Sequence, residues 1–299
     1  MKIDRYAGID IGSNGVRLLI MNVYVINDEA HFDKAILVRA PIRLGSDSFV
    51  KNEIQDDNIE MLSEAMKSFY SLMKCYKVKK YRACATSALR EASNALEVVE
   101  TVYKNSEIKI DLIEGKEEAK IIYTTQIAEY IKDEKGYLFI DVGGGSTELT
   151  YYYKGKSRAS RSFKIGTVRA LKNLVEYKEW LEMETFIKEL KLAEDTVAVG
   201  TGGNINTLFK KSQKPLGKPL TARYLRDMHK DLKILTVDER IIQYNFNPDR
   251  ADVIVPALEI YTTIMKAAKV NDIYVPKIGL ADGIVRSLYE GRETLTLFD

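Results

Sequence analysis

Histidine is nearly absent from this chain: only His31 and His229 occur in 299 residues. A Ser-His-Asp triad or a multi-histidine zinc site therefore has little to be built from. Cysteine is equally scarce, with Cys75 and Cys84 both in apolar patterns. They read as buried free thiols in a reducing, cytoplasmic compartment, not as a disulfide framework. Net charge is small too: 45 Lys and Arg against 43 Asp and Glu leave +2. No global field then directs the chain to nucleic acid or to a membrane. No stretch approaches the ~20 uninterrupted apolar residues of a membrane span. Asp4, Arg5 and Asp10 interrupt any signal-peptide core, so no leader is expected. Chemistry is left to carboxylates, arginine, backbone amides and a hard cation such as Mg²⁺.

What is present is ordinary for a folded chain: 45% hydrophobic and 29% charged residues, over a length that accommodates two domains. Residues 5–11 read as a strand closed by the turn Gly12-Ser13-Asn14-Gly15, with strands following at 16–26 and 31–44. A helix is predicted at about 56–76, where Met61, Leu62, Ala65, Met66, Phe69 and Leu72 recur at helical spacing. A strand at 81–86, a helix at about 94–104 and a strand at 108–113 come next, then a helix from Gly115 to about Lys132. The second half repeats the start of that order, with strands at 137–142, 147–153 and 157–165. Helices follow at 167–175 and 181–191, then a strand at 195–199 and a helix behind Gly200–Asn204. Residues 221–268 read as mainly helical, ahead of a strand at 272–275 and a last helix after Gly283. The charged link Lys132–Gly136 divides the chain into 1–132 and 133–299. The C-terminal helix, about 284–299, is free to pack back on the first domain. Alternating strands and helices imply α/β layers with a mixed sheet in each half.

An internal repeat singles out the chemistry. Ile9-Asp10-Ile11-Gly12 matches Ile140-Asp141-Val142-Gly143, and Leu18 matches Leu149. In each copy one aspartate interrupts an apolar strand just before a glycine turn. A buried carboxylate is costly unless it is paired, hydrogen-bonded or metal-bound. Meeting the arrangement twice predicts two similar halves serving one phosphate site. The expected phosphate contacts are the amides of Gly12, Ser13, Asn14 and Gly15, and of Gly143, Gly144, Gly145, Ser146 and Thr147; a tight hairpin is the plainer role. Neither a Walker A loop nor a dinucleotide fingerprint occurs.

Asp141 and Glu148 suit a shared Mg²⁺, and Asp10 is a third candidate ligand. A hydrogen-bonded aspartate and an exposed strand residue are the simpler accounts of the first two. Glu114, Glu117 and Glu118 surround the start of the helix after residue 115. Any of them suits a base for water, or a partner for the helix dipole. Arg90, after the strand at 81–86, suits a bidentate phosphate clamp, with a surface ion pair as its alternative. Arg17 takes the place of Glu148 in the internal match, and is expected to reach the same phosphate site from the other half, beside the substrate. Gly202 and Gly203 lie in a second glycine turn, and Gly166–Arg169 opens a helix able to hold an anion. Lys210, Lys211, Lys214, Lys218, Arg223, Arg226, Lys230 and Lys233 form a basic segment opposed by Asp227 and Asp231. That segment is either a solvated helix face or a track for a polyanion.

Seven blocks, in order, resemble the exopolyphosphatase / guanosine pentaphosphate phosphohydrolase (Ppx/GppA) family of the actin-like superfamily. They are Asp10–Asn14, Thr86–Arg90, Gly115–Ala119, Asp141–Glu148, Gly200–Gly203, Arg250–Pro256 and Ala281–Gly283. The resemblance implies an α/β fold of two actin-like (ribonuclease H-like) domains, each a mixed sheet flanked by helices, with the active site in the interdomain cleft. It implies Mg²⁺-dependent hydrolysis of terminal phosphoanhydride bonds in polyphosphate, guanosine pentaphosphate or both. A cytoplasmic homodimer connected with the stringent response is the matching expectation. By position, Glu118 matches the catalytic glutamate, Asp141 and Glu148 the acidic positions with metal or water roles, and Arg90 a phosphate-binding arginine. The family's first turn usually continues with Ser or Thr where this chain has Gly15, so one hydroxyl is missing. The chain resembles the short members, without the long members' C-terminal domains, which favours short polyphosphates or nucleotides. Two other functions stay open: an ATP-dependent kinase or ATPase with a nucleoside pocket at Gly200–Asn204, and an alarmone-binding protein with weak catalysis.

Overall fold

A computed structural model describes residues 2–130 and 135–291, with the side chains of 123–130 excepted. The chain divides into two compact units, one of residues 1–125 with 279–299, the other of residues 126–278. Most of the link expected at 132–136 and the end of the helix expected at 284–299 lie outside the described residues.

In the first unit, strands β1 (Asp4–Gly12), β2 (Gly15–Ile26) and β3 (Glu29–Ala40) form an antiparallel meander. Asn27 and Asp28 both take positive φ, the two-residue turn whose twist suits a hairpin. β3 ends at Ala40 instead of reaching 44, because Pro41 has no N–H for the ladder. The residues read as strand end instead begin helix α1 (Leu44–Lys51). Helix α2 (Asp56–Cys75) follows, and its buried stripe is Leu62, Met66, Phe69 and Met73. Each such side chain contributes roughly 1.5–3 kcal/mol. Met61 and Cys75, expected inside, lie on the outer face of α2, while Cys84 is buried.

Strand β4 (Lys80–Ala85), helices α3 (Ser87–Arg90) and α4 (Ala95–Ser106), strand β5 (Ile110–Leu112) and helix α5 (Gly115–Tyr130) complete this part. The sheet order is β3-β2-β1-β4-β5, with β1, β4 and β5 parallel. Central β1 is covered on both faces, which is why it reads as a nearly unbroken apolar run.

The second unit repeats the theme. Strands β6 (Gly136–Val142), β7 (Thr147–Tyr153) and β8 (Lys156–Phe163) form a meander, turned at Lys154 and Gly155 by another pair of positive φ values. Helices α6 (Thr167–Leu171) and α7 (Tyr177–Glu189), strand β9 (Val197–Thr201), helix α8 (Gly203–Lys211) and the short strand β10 (Leu220–Thr221) come next. Helices α9 (Ala222–Lys233), α10 (Val237–Tyr244), α11 (Pro248–Ala251) and α12 (Ile254–Ala268) precede strand β11 (Asp272–Tyr274). The order is β10-β11-β9-β6-β7-β8, so β8-β7-β6-β9 reproduces β3-β2-β1-β4. The edge strand β8 is exposed along most of its length and carries charge, a common guard against edge-to-edge pairing.

Helix α13 (Leu280–Tyr289) belongs to the first unit, where it covers β1 and β2 together with Ile121 and Ile122 of α5. Glycine permits that approach: a Cβ on Gly8 would lie 2.4 Å from the Ala281 carbonyl oxygen, and one on Gly283 2.4 Å from that of Ile121. Each unit thus holds its own core under its own sheet. Among the described residues, no helix is long and apolar enough to cross a membrane.

Candidate active site

In parallel sheets, ligands gather where strands end and loops or helix N-termini begin. In the first unit β1, β4 and β5 end side by side, at the turn 12–15, at α3 and at the start of α5. Ser13 and Ser87 join two of these ends through a buried hydroxyl pair at 3.0 Å. The carbonyls of the first turn are held from behind: Ser13 accepts from the Gly45 amide at 2.9 Å, and Asn14 from Arg39 Nη2 at 2.7 Å.

Cross-strand register separates the two copies of the repeat. Asp10 lies opposite Arg17 and Asp141 opposite Glu148, so each pair shares one face of its sheet. Asp10, 6% exposed, accepts from Arg17 Nη1 at 2.7 Å. Its charge is thereby offset within the first unit. Arg39 is Arg17's neighbour in the next strand. A Cβ on Gly15 would lie 2.6 Å from Arg39 Nη2, so the guanidinium occupies the space a Ser or Thr would need. Gly15 also has φ 158°, so Gly15→Ser is expected to cost about 1 kcal/mol, and the added cost of Arg39→Ala, which loses the bond to Asn14, to be smaller in the Gly15→Ser background because the clash goes with it. Urea unfolding of the four members of this cycle checks it; additive effects would contradict the clash.

Arg90, at the end of α3, donates to the Ile113 carbonyl at 2.5 Å and lies 3.8 Å from Glu114. That tether orients the guanidinium while leaving it partly exposed. The three glutamates around residue 115 differ sharply. Glu117 is bound to Arg82 at 2.9 Å, and Arg82 also holds Asp111 at 2.8 Å. Glu114 is exposed. Glu118 is half-buried on the first turn of α5, with its amide bonded to the Glu114 carbonyl at 2.9 Å.

The second unit places Thr201, Asp141, Glu148 and Ser162 in one row across four neighbouring strands. Thr201 donates to Asp141 Oδ1 at 2.7 Å, and Ser162 to Glu148 Oε1 at 2.8 Å. Glu148 is only 4% exposed. A carboxylate oxygen of Asp141 and one of Glu148 lie within 4.8 Å of each other. Two close carboxylates repel, and a divalent cation converts that repulsion into attraction. Beneath the row, Tyr261 donates to the Thr201 carbonyl; burial, then the Asp141 charge, pushes its phenol well above the usual tyrosine value.

The glycine turn has a clear polarity. Gly143 closes it by donating to the Ser146 carbonyl at 2.9 Å. The Gly143 carbonyl accepts from Thr167 at 3.0 Å, that of Gly144 from Val168 at 2.8 Å, and that of Gly145 from Arg169 Nε at 2.8 Å. Among the described residues, the amides of Gly144, Gly145 and Ser146 have no acceptor. Successive unfilled N–H groups of this kind form an anion nest. The segment 166–169 therefore supports the glycine turn from behind. Gly166 makes the contact feasible, since its Cβ would lie 2.3 Å from the Gly144 carbonyl oxygen. Rigid backbone cannot yield as a side chain does, so Gly166→Ala is expected to cost about 1–3 kcal/mol. Chemical denaturation measures it, and an unchanged midpoint would refute the packing.

Gly202 and Gly203 have structural reasons of their own. Gly202 has φ 109°, and a Cβ on Gly203 would strike the Arg250 guanidinium at 2.3 Å. Ser162, Ser87 and Arg39 were not singled out from the sequence. Ser162 was not findable by counting the hairpin register outward from Lys154-Gly155, which pairs Glu148 with Arg161; a register shift between Tyr151 and Tyr152 brings Ser162 opposite Glu148 instead. Ser87 lies within the Thr86–Arg90 block without having been assigned a role, whereas Arg39 comes from a segment far from the turn it supports and left no local signal.

These features have counterparts in known proteins. The crystal structure of the Aquifex aeolicus Ppx/GppA family member aligns with a TM-score of 0.77 at 26% identity, covering 98% of this chain and 100% of that one. The bifunctional 3-dehydroquinate synthase/phosphatase of Fusobacterium nucleatum is 28% identical over 97% of this chain, which spans 48% of that longer protein. Exopolyphosphatase 1 of Mycobacterium tuberculosis is 21% identical over 94% of this chain and 87% of its own length. The mixed sheets flanked by helices are those of the two-domain actin-like fold. A family model spans residues 27–291, taking in Arg90, α5, the glycine turn and the Asp141–Glu148 row alike, and on that match this chain belongs to the Ppx/GppA phosphatase family.

Proposed function

We propose that this chain is a phosphohydrolase that removes terminal phosphate from inorganic polyphosphate, guanosine pentaphosphate or both, with Mg²⁺. The observation that carries it is the second unit's combination of an anion nest with paired carboxylates. Among the described residues the amides of Gly144, Gly145 and Ser146 have no acceptor, and Asp141 and Glu148 share one sheet face beside them. Family membership, and the exopolyphosphatase name of one relative, agree with that chemistry.

Asp141 and Glu148 fit Mg²⁺ because both are oxygen donors, held in place by Thr201 and Ser162. When bound, the ion would neutralise charge on the phosphate oxygens. Asp10, already matched by Arg17, is left the role of fixing that arginine. The turn amides, with those of residues 12–15, hold the phosphate. Arg90 offsets the charge that spreads over the transferred phosphoryl group. Glu118 orients the attacking water and takes its proton; Glu117 is committed to Arg82, which favours Glu118 of the two.

A phosphate-release panel tests the proposal. Polyphosphates of several lengths, guanosine pentaphosphate and ATP are each incubated with and without Mg²⁺. Mg²⁺-dependent release from polyphosphate or guanosine pentaphosphate is expected. Release from neither, or phosphoryl transfer from ATP to an acceptor other than water, would overturn it.

A further inference from the structure

The basic segment around α9 shares no residue with the phosphate turns, and in the fold part of it borders a cavity. The cavity, about 730 Å³, lies in the second unit where α9 packs on α12. Its walls include Ala222, Arg226 and His229 from α9, Thr262, Thr263 and Lys266 from the end of α12, and Lys269, the left-handed residue that caps α12. Positions i, i+4 and i+7 share a helical face, so α9 turns one stripe toward this space, and the last turn and cap of α12 bring Lys266 and Lys269 to it from the other side. Among the described residues no carboxylate lines it. Arg226, Lys266 and Lys269 have no ion-pair partner there either, whereas nearby Arg223 is matched by Asp227 at 3.7 Å.

Basic side chains at a helix C-terminus offset its dipole, which accounts for Lys266 and Lys269 on α12 alone. It does not account for Arg226 and His229 reaching the same cavity from α9. Converging cations with no carboxylate among the lining residues repel one another, and an anion reverses the sign of that interaction. His229 belongs to the same balance. Burial holds it below the usual histidine value, with Glu259 pulling it up and Lys233 pushing it down.

We propose that this cavity is a second anion site that takes an oligophosphate, a run of several phosphate groups either inorganic or carried on a nucleoside. Its volume falls within the ~300–1,000 Å³ of small-molecule sites. Several separated cations match several linked phosphates better than one orthophosphate. The site shares no residue with Asp141, Glu148 or the glycine turn, and its binding does not depend on which bond the protein cleaves.

The scarcity of histidine makes the test direct. Imidazole signals come from His31 and His229 alone, and a His31→Gln variant assigns them. The full chain is titrated with a methylene-bridged tripolyphosphate, with a methylene-bridged nucleoside triphosphate and with orthophosphate, while nuclear magnetic resonance follows both imidazoles. The expected result is that His229 shifts and its pKa rises with one or both oligophosphates while His31 stays still. The arm that saturates at lower concentration identifies the source. The double variant Arg226→Gln/Lys266→Gln, at exposed positions, weakens that response about tenfold without slowing phosphate release from a short substrate. Lys266→Gln/Lys269→Gln serves as a second variant, with circular dichroism confirming the fold of each. An unmoved His229, an undiminished response in both folded variants, or an equal response to orthophosphate overturns the proposal.

Discussion

Glu118→Gln is expected to yield a folded protein whose phosphate release is about 10²–10⁴-fold slower, the usual cost of losing a positioned base. That loss is a barrier increase of roughly 2.7–5.5 kcal/mol. Glutamine keeps the length of the side chain and its capacity to hydrogen-bond, but it cannot take a proton from water. The helix should be undisturbed, because what anchors Glu118 locally is its backbone amide on the Glu114 carbonyl. KM should change little, since the group acts on water more than on the ground-state substrate. Glu117→Gln is the matched control. Its carboxylate holds Arg82, so that change should lower stability and leave turnover nearly intact. Steady-state phosphate release and thermal unfolding of both variants decide the matter. Near wild-type turnover in folded Glu118→Gln would sink the assignment.

The second large effect concerns the paired carboxylates. Glu148→Gln should retain the bond from Ser162, because the amide oxygen accepts as the carboxylate does. It should nonetheless lose at least about 100-fold in Mg²⁺ affinity, the upper range for perturbing even the outer partners of a metal site. The readout is linkage. A ligand at about 100 times its dissociation constant stabilises the native state by about 2.7 kcal/mol. Wild-type protein should therefore melt higher as Mg²⁺ is added, and the variant should not. Without metal the order reverses, since removing one of two close like charges relieves repulsion. If both proteins respond equally to Mg²⁺, Asp141 and Glu148 are not its ligands.

Much of the architecture was legible. The meanders at 5–40 and 137–163 show as apolar runs punctuated by Gly-containing or Asn-Asp turns, and the 56–76 helix shows as a 3.6-residue stripe. These signals are local, so a linear reading captures them. Errors fell where local signals compete. The run to residue 44 looked like strand, but Pro41 withdraws a ladder donor and the chain turns into α1 instead. Met61 and Cys75 fit an apolar pattern yet face outward, because the stripe on α2 is centred one residue later, on Leu62 and Met66. The candidate site was legible as a set of residues and illegible as a set of partnerships. Nothing local distinguishes Glu117 from Glu118 until Arg82, on a strand 35 residues earlier, is seen to claim one of them.

By itself, the sequence determined the α/β class and the duplicated strand–aspartate–glycine element, and its two histidines and two cysteines pointed the proposed chemistry to carboxylates, arginine and backbone amides. Those follow from composition and from spacing along one chain. Tertiary structure alone decided how each aspartate is compensated. The same register position holds Arg17 opposite Asp10 and Glu148 opposite Asp141, so one copy is neutralised internally and the other gathers negative charge. It also decided which side of the glycine turn is open, because α6 and Arg169 take the carbonyls of residues 143–145 while, among the described residues, the amides of 144–146 have no acceptor. Register and hydrogen-bond direction arise only when strands distant in sequence are brought side by side, and electrostatic compensation depends on distance in space.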